Sequence, residues 1–239
     1  MPEELNVFYG ILDHTFSLEN QNFLKYFSQQ EIEKYSRFRY PLRKASWIQG
    51  RMAAKLLLSH IGRTGIPKEL NQIEIGNEDS GSPYYAIAGE GKNPLSCLSI
   101  SHSGSIAFSA VILDSPGRVG VDVEKIETRA DEFLETYFTP AELAQVSNEA
   151  PEKRALVVNI IWSAKEALLK VRRAGLRVDT REVEIQKISG GKDEGWNFLL
   201  ARAFNRGWRV GWQCRGEYVF TLAVDGDEEI GWVEVPLFV

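Results

Sequence analysis

Two long amphipathic helices, each followed by a strand-rich stretch, constrain the fold of this chain more than any other feature. Residues 44–61 and 153–173 both place apolar side chains at spacings of three and four, which predicts helices with one buried face. Short runs of β-branched and aromatic residues predict strands after each helix. These runs lie at 84–87, 97–100, 106–113 and 118–124, and five antiparallel runs follow from 181 to the end. The pattern predicts an α+β fold with sheet and helix in both halves.

Residues 131–147 are also predicted to be helical, and they lie between the two long helices. Thr139-Pro140-Ala141-Glu142 has the residues of a helix start, with Thr as the N-cap, Pro at the first position and Glu at the third. We expect a helix to begin after Thr139.

The two long helices share a weak repeat. Aligning 47–55 with 162–170 places Trp47 opposite Trp162 and Lys55 opposite Lys170. Two matched positions also arise by chance, so the alignment leaves both interpretations open. If the repeat is real, the chain forms two similar halves, 1–115 and 116–239, with the ligand site in the cleft between them.

Charge and metal-ligand composition exclude several classes of function. Lys and Arg number 28 against 33 Asp and Glu, so the formal net charge is −5, which argues against a general nucleic-acid binder. Six cations and no acid lie in 37–55, which predicts either a local phosphate pocket or a solvated helix face. The three His and two Cys lack zinc-ligand spacing. A metal would therefore be held by carboxylates, as Mg²⁺ is.

The sequence predicts a cytoplasmic protein without a membrane segment. No apolar run approaches the ~18 residues of a membrane-spanning helix. The first ten residues are acidic and lack the apolar core of a signal peptide. Two cysteines make no disulfide framework.

The predicted strand 118–124 brings two carboxylates to one face. Val119, Val121 and Val123 alternate with Gly120, Asp122 and Glu124, and alternate residues of a strand share a face. Two carboxylates so close repel each other unless water or a cation lies between them. The pair predicts either a cation site or the polar face of an edge strand, and Gly120 leaves room for a close approach to the backbone.

The second long helix carries a polar stripe. Trp162, Glu166 and Lys170 are spaced by four and share one helix face. Glu166 and Lys170 could form an ordinary surface ion pair. Trp162 on the same stripe indicates instead that this face is partly buried.

Ser101-His102-Ser103-Gly104 is predicted to be a turn between two strands. A serine hydrolase is a poor interpretation, because adjacent Ser and His rarely point at each other and no G-x-S-x-G motif exists. Hydroxyls, an imidazole and a glycine suit a phosphate or a nucleotide better. A plain hairpin turn remains the alternative.

Taken in order, these motifs resemble the 4′-phosphopantetheinyl transferase superfamily, in its Sfp-type branch. The resemblance spans about 35–176, and its most specific elements are 120–124 and 162–170. It implies a monomer with a pseudo-two-fold pair of similar α+β halves, each a small antiparallel sheet packed with helices. The matching motifs are Gly50-Arg51, Ser101-His102-Ser103, Gly120-Val121-Asp122-Val123-Glu124, Phe138-Thr139-x-x-Glu142, Trp162-Ser163-x-Lys165-Glu166-Ala167-x-x-Lys170 and Gly175-Leu176.

The resemblance implies transfer of the phosphopantetheine arm of coenzyme A to a serine of an apo carrier protein, of acyl, polyketide or peptidyl type. The metal, Mg²⁺ or Mn²⁺, would be held by Asp122, Glu124 and Glu166. Glu166 is also the candidate base, with Lys170 and Asp122 as further catalytic residues. The residues implied to contact coenzyme A are Arg43, Lys44, Arg51, Ser101, His102, Asp122 and Lys170.

One departure from the family pattern concerns coenzyme A binding. Members often carry Gly-Lys-Pro before the Ser-His element, and the matching stretch here has Ser82 in place of the lysine. Another basic residue could substitute, or coenzyme A could bind less tightly. Two other functions stay open: a non-catalytic coenzyme A or nucleotide-binding module, and a metal-dependent nucleotide phosphohydrolase.

The resemblance also predicts where the carrier docks. The candidates are the segment 125–140 and the helix 153–170. The apolar contacts would be Phe133, Leu134, Tyr137 and Phe138, unless these side chains belong to the core.

Overall fold

The structure is a computed structural model that describes residues 5–19, 21–173, 178–191, 195–225 and 230–238. The chain divides into two compact units. Unit 1 comprises Met1–Val119 together with Gly226–Val239, and unit 2 comprises Gly120–Asp225. Residues 226–239, which the sequence assigned to the C-terminal half, are grouped with unit 1.

Small sheets alternate with helices along the chain, which confirms the predicted α+β class. The helices are α1 (Gln29–Ser36), α2 (Pro41–His60), α3 (Asp131–Tyr137), α4 (Pro140–Asn148) and α5 (Pro151–Val171). The strands are β1 (Leu5–Asp13), β2 (Ile73–Asn77), β3 (Pro83–Ile87), β4 (Gly91–Lys92), β5 (Cys97–Ser103), β6 (Ile106–Ile112), β7 (Arg118–Lys125), β8 (Val183–Ile188), β9 (Asn197–Ala203), β10 (Arg206–Arg215), β11 (Tyr218–Asp225) and β12 (Ile230–Glu234). Among the described residues, no helix has both the length and the apolar character needed to cross a bilayer.

Unit 1 contains a four-stranded sheet in the order β12-β1-β6-β5 and a three-stranded sheet in the order β2-β3-β4. The β1–β6 and β5–β6 pairs are antiparallel. β12 pairs with β1 in parallel, with Leu5 opposite Ile230. The prediction that all five strands after 181 are antiparallel neighbours is therefore wrong for the last one.

The long helix α2 packs in the core of unit 1. Trp47, Ile48 and Met52 are buried with aromatic residues from the stretch before the helix. Gly50 permits a close approach to the sheet, because a Cβ there would lie 3.0 Å from Cγ2 of Ile100.

A buried ion pair ties α1 to α2. Lys55 Nζ lies 2.7 Å from Glu31 Oε2, with side-chain exposures of 0% and 4%. Lys55 also donates to the carbonyls of Leu70 and Ile73. Glu31 belongs to the capping box of α1, whose N-cap is Ser28. The buried ammonium group of Lys55 therefore contacts one carboxylate and two carbonyl oxygens. A buried charge needs such partners.

Unit 2 contains one sheet in the order β7-β11-β10-β9-β8. The pairs β8–β9, β9–β10 and β10–β11 are antiparallel. The helix α5 packs on this sheet, and Ile161, Ala164 and Leu168 are buried in the core.

Gly120 lies where β7 meets α5. A Cβ at this position would overlap the carbonyl oxygen of Ala167 and lie 2.8 Å from the backbone nitrogen of Val171. The space beside Gly120 is therefore filled by the helix backbone of its own unit.

Unit 2 has a second buried ion pair. Lys165 Nζ lies 2.7 Å from Glu142 Oε2, and both side chains are fully buried. Lys165 also donates to the carbonyls of Tyr137, Thr180 and Val183. Burial lowers the pKa of Lys165 and raises the pKa of Glu142, and the attraction between the two charges opposes both shifts.

The helix predicted over 131–147 is two helices, α3 and α4, separated at Phe138-Thr139. Thr139 and Glu142 form the expected capping box, since each side chain accepts the other residue's backbone N–H. The predicted turn at Ser101–Gly104 is corrected: β5 continues through Ser103, and the turn is at Gly104-Ser105.

Candidate active site

A cluster of charged side chains lies between β7 and α5 in unit 2. Asp122 is 3% exposed, and its Oδ1 accepts a hydrogen bond of 2.8 Å from Lys170 Nζ. Lys170 also donates to the carbonyl of Val121, at 3.0 Å. Lys170 thus spans from the last turn of α5 to the middle of β7, which places a cation against one of the two strand carboxylates.

Glu124, the second carboxylate of β7, has its own partners. Its Oε1 accepts from Trp162 Nε1 at 2.9 Å and its Oε2 from Arg129 Nη2 at 2.8 Å. Burial and the charge of Asp122 raise the pKa of Glu124, while Arg129 and Trp162 lower it. The repulsion expected between Asp122 and Glu124 is thus offset by a separate cation on each.

Glu166 lies on α5 between Trp162 and Lys170. Burial raises the pKa of Glu166 to about 7, the charges of Asp122 and Glu124 add to this shift, and Lys170 opposes it. Glu166 Oε1 is buried and accepts no hydrogen bond from any described residue. A carboxylate of this kind can take up a proton or a cation near neutral pH.

The oxygen-rich side chains of this cluster suit a hard divalent cation. Within the described part of the chain, no three His, Cys, Asp or Glu side chains form a ready ligand group for a metal. Mg²⁺ does not require one, since it is often bound by one or two carboxylates, waters and substrate phosphates. The buried, unpaired oxygen of Glu166 and its coupling to Asp122 and Glu124 therefore fit such an ion.

Arg51, predicted to bind a phosphate, is largely buried in unit 1. Its Nη2 donates to Asn77 Oδ1 at 2.7 Å, and its guanidinium lies 4.2 Å from the centre of the Trp47 ring. Burial lowers the pKa of Arg51 to about 10. Arg51 Nε has no partner among the described residues, so the guanidinium retains capacity to donate to an anion.

Two cations that precede Arg51 on α2 also lie over aromatic rings. Arg43 lies over Phe38 at 5.5 Å and Lys44 over Tyr35 at 4.9 Å. Such contacts keep a cation oriented without neutralising its charge.

Ser101 and His102 lie on β5 and therefore point to opposite faces of the sheet. Ser101 is buried and His102 is exposed. One ligand group cannot contact both side chains from a single face of the strand.

The stretch that departs from the family pattern forms a turn before β3. Gly81 has a φ of 90°, and its carbonyl accepts from Asn77 Nδ2 at 2.8 Å. Ser82 is exposed. Asn77 thus connects this turn to Arg51, whose Nη2 donates to the Asn77 side chain.

The predicted apolar docking residues differ in exposure. Phe138 is 2% exposed and belongs to the core, so it is not available to a partner. Phe133, Leu134 and Tyr137 are partly buried against the same core. Phe133 and Tyr137 pack on Trp162, with ring centres 4.9 and 5.0 Å away. Gly175 and Leu176 lie outside the described residues.

Arg129 and the two buried lysines have structural roles that the sequence did not reveal. Arg129 lies in a polar segment with no pattern that distinguishes it. Lys55 and Lys165 could have been noticed as single charges within the apolar faces of α2 and α5, because a lysine is rarely buried without a partner.

Comparisons with known proteins show that unit 2 is similar to a known protein family. The profile of the 4′-phosphopantetheinyl transferase superfamily matches residues 118–223. Holo-(acyl-carrier-protein) synthase of Streptococcus agalactiae is 39% identical over 97 residues, which cover 40% of this chain and 80% of that protein. The synthase of Lactococcus lactis subsp. cremoris is 38% identical over 89 residues, covering 35% and 71%.

A longer relative and a solved structure also match. 4′-Phosphopantetheinyl transferase AcpT of Salmonella typhi is 31% identical over 133 residues, 55% of this chain and 60% of that protein. A crystal structure of a holo-(acyl-carrier-protein) synthase from Bacillus anthracis, in complex with CoA (3′,5′-ADP), is 28% identical with a TM-score of 0.35. It covers 45% of this chain and 95% of that one. From the sequence matches, this chain belongs to the 4′-phosphopantetheinyl transferase superfamily.

Proposed function

We propose that this protein transfers the 4′-phosphopantetheine arm of coenzyme A to a serine hydroxyl of an apo carrier protein and releases adenosine 3′,5′-bisphosphate. The observation that carries the proposal is the cluster of Asp122, Glu124, Glu166 and Lys170. It lies within the residues that match the superfamily. A buried acid, a lysine and two further carboxylates suit chemistry at a pyrophosphate.

The reaction forms a bond between the serine oxygen and the β-phosphorus, and breaks the bond from that phosphorus to the bridging oxygen. Glu166 accepts the serine proton, because its buried Oε1 accepts no hydrogen bond from any described residue. Lys170, held by Asp122, stabilises the charge that develops on the phosphate oxygens.

Asp122, Glu124 and Glu166 are the residues that we propose to hold Mg²⁺, with Mn²⁺ as a substitute. Each Glu124 oxygen accepts one hydrogen bond, and a carboxylate oxygen has a second lone pair for a cation. When bound, the ion neutralises charge on the pyrophosphate.

In unit 1, we propose that Arg43, Lys44 and Arg51 contact the phosphates of coenzyme A, together with Ser101 or His102. The Nε of Arg51, unpartnered among the described residues, and the neighbouring cations Arg43 and Lys44, which lie over aromatic rings, support this assignment. Because Ser101 and His102 point to opposite faces, His102, the exposed one, is the better candidate for a phosphate.

One experiment tests the proposal. The protein is incubated with coenzyme A, Mg²⁺ and an apo carrier protein, and the carrier is weighed by mass spectrometry. A mass gain of one phosphopantetheine arm supports transfer. Glu166→Gln and Asp122→Ala should abolish the gain while circular dichroism stays unchanged. Arg202→Ala, which alters an exposed arginine on β9, serves as the matched control.

The same experiment separates the alternatives. Binding of coenzyme A without a mass gain on any acyl, polyketide or peptidyl carrier would favour a binding module. Release of a nucleotide without a carrier would favour a phosphohydrolase. The Sfp-type branch and a cytoplasmic monomer belong to the same proposal, and size-exclusion chromatography tests the monomer.

A further inference from the structure

The carboxylate of Glu124 is held from two sides. Trp162 on α5 donates its indole N–H to Oε1, and Arg129, from the segment after β7, donates to Oε2. The Glu124 side chain is 21% exposed. With one donor on each oxygen, both the position and the plane of the carboxylate are set.

Arg129 is itself fixed by the surrounding structure. Its Nε donates to Asn159 Oδ1 at 3.2 Å, and its guanidinium lies 5.3 Å from the centre of the Phe133 ring. Asn159 is fully buried, and its amide donates to the carbonyls of Glu127 and Ala155, both at 2.7 Å. The Arg129 guanidinium therefore has little freedom to move, because the Asn159 amide that accepts its hydrogen bond is buried and makes hydrogen bonds of its own.

Trp162 is equally restrained. It is 8% exposed and packs on Phe133 and Tyr137. Phe133 thus contacts both residues that donate to Glu124, so the two donors share one aromatic support.

We infer that Arg129 and Trp162 are positioning residues, which together aim the Glu124 carboxylate at the divalent cation of the proposed reaction. This inference rests on the proposed function. A free glutamate has three side-chain torsions, and restricting them costs entropy when a ligand binds. Donors that orient a ligating carboxylate before the ion arrives remove that cost, as outer-shell partners of metal ligands do.

The inference is tested on the full chain with Trp162→Phe, Arg129→Ala and Arg129→Lys. Phe keeps an aromatic ring at this position and removes the N–H donor together with part of the indole ring. Binding of Mn²⁺ to the complex with coenzyme A is measured by electron paramagnetic resonance, without carrier protein. We expect Trp162→Phe and Arg129→Ala each to weaken Mn²⁺ binding about 10- to 100-fold, and Arg129→Lys to restore part of the loss.

The transfer assay gives a second readout. The Mg²⁺ concentration for half-maximal rate should rise in the same proportion, while kcat at saturating Mg²⁺ changes less. Arg202→Ala, which alters an exposed arginine on β9, should leave both quantities unchanged.

A double-mutant cycle with Glu124→Gln shows whether the donors act through Glu124. In that background, Trp162→Phe and Arg129→Ala should cause no further loss of Mn²⁺ affinity. Unchanged or tighter binding in the single variants, or an equal loss in the Glu124→Gln background, would overturn the inference. If the wild-type protein neither binds Mn²⁺ nor modifies a carrier, the proposed function itself fails.

Discussion

The long helices of the two units, α2 and α5, are anchored in the same way. In each, a buried lysine lies 2.7 Å from Oε2 of a glutamate that occupies the third position of a capping box. The other oxygen of that glutamate accepts the backbone N–H of a following strand, Ile75 in unit 1 and Ile185 in unit 2. In each unit, one ion pair thereby links the start of a short helix, the long helix and a following strand.

This correspondence corrects the alignment drawn from the sequence. The structural counterpart of Lys55 is Lys165, because the two make the same contacts, and not Lys170. The match between Trp47 and Trp162 is therefore accidental. The two units do share a local arrangement of capping box, long helix and strand. Its alignment pairs Lys55 with Lys165, and it does not pair Trp47 with Trp162.

In the corrected register, the units differ where the chemistry is proposed. The positions of Trp162, Glu166 and Lys170 on α5 are taken by Met52, Leu56 and His60 on α2. Leu56 is buried in an apolar core. The ion pair occurs in both units, whereas the positions of the acidic cluster are not acidic in unit 1. Under the proposed function, stability and catalysis depend on different residues, so mutation should separate them.

The largest effect should come from substitutions in that cluster. Glu166→Gln should lower the transfer rate about 10²- to 10⁴-fold, the range for a positioned acid or base. Lys170→Met should lower kcat about 10²- to 10³-fold, as for loss of one electrostatic donor. His60→Met, the equivalent exposed position in unit 1, should leave the rate within about twofold. Carrier mass against time measures all three.

Breaking either ion pair should destabilise the protein by a similar amount. Lys55→Met and Lys165→Met each leave a buried carboxylate without its cation, at a cost of about 3 to 5 kcal/mol. Urea unfolding measures the loss. Lys165 precedes Glu166, so only Lys165→Met should also slow transfer.

Removing both charges of one pair is the control for that prediction. Glu142→Leu with Lys165→Met should be more stable than either single variant, because an apolar pair avoids the desolvation cost of a lone charge. If the double variant lost as much stability as the two single variants combined, the pairing interpretation would be wrong.

The two close-packed glycines should respond differently. Gly120→Ala should cost about 3 kcal/mol, because the new methyl group meets the backbone of α5. Gly50→Ala meets only a side-chain methyl of Ile100 and gains helix propensity, so its net change should stay within about 1 kcal/mol. Thermal unfolding compares them, and equal losses would contradict the difference in packing.

The smallest effects should come from the helix caps. Ser28→Ala and Thr139→Ala each remove one side-chain acceptor at a helix start, at a cost of about 1 kcal/mol. The replacements Ser28→Thr and Thr139→Ser keep the acceptor and should be nearly neutral. A much larger loss at one cap than at the other would show that the two boxes are not equivalent.

Local patterns predicted much of this structure. The alternation around Asp122 and Glu124 and the stripe of Trp162, Glu166 and Lys170 depend only on strand and helix periodicity, and the structure brings these residues together. The start of α4 at Thr139 also followed from neighbouring residues. Such features can be predicted without knowing which residues contact one another across the fold.

Features set by distant contacts were missed. The strand β1 and its parallel pairing with β12 depend on residues more than 200 positions apart, which no local pattern specifies. Arg129 is held beside Glu124 because its Nε donates to Asn159, 30 residues further along the chain. Tertiary context decided each of these cases.

The pairing of β12 with β1 has a consequence for the order of folding. Unit 2 is continuous in sequence, so all its residues are synthesised before β12. Unit 1 lacks an edge strand of its sheet until then, and β1 keeps unpaired backbone groups that can bind other chains. β1 is thus synthesised long before its partner β12, and during that interval unit 1 is the unit more exposed to wrong association.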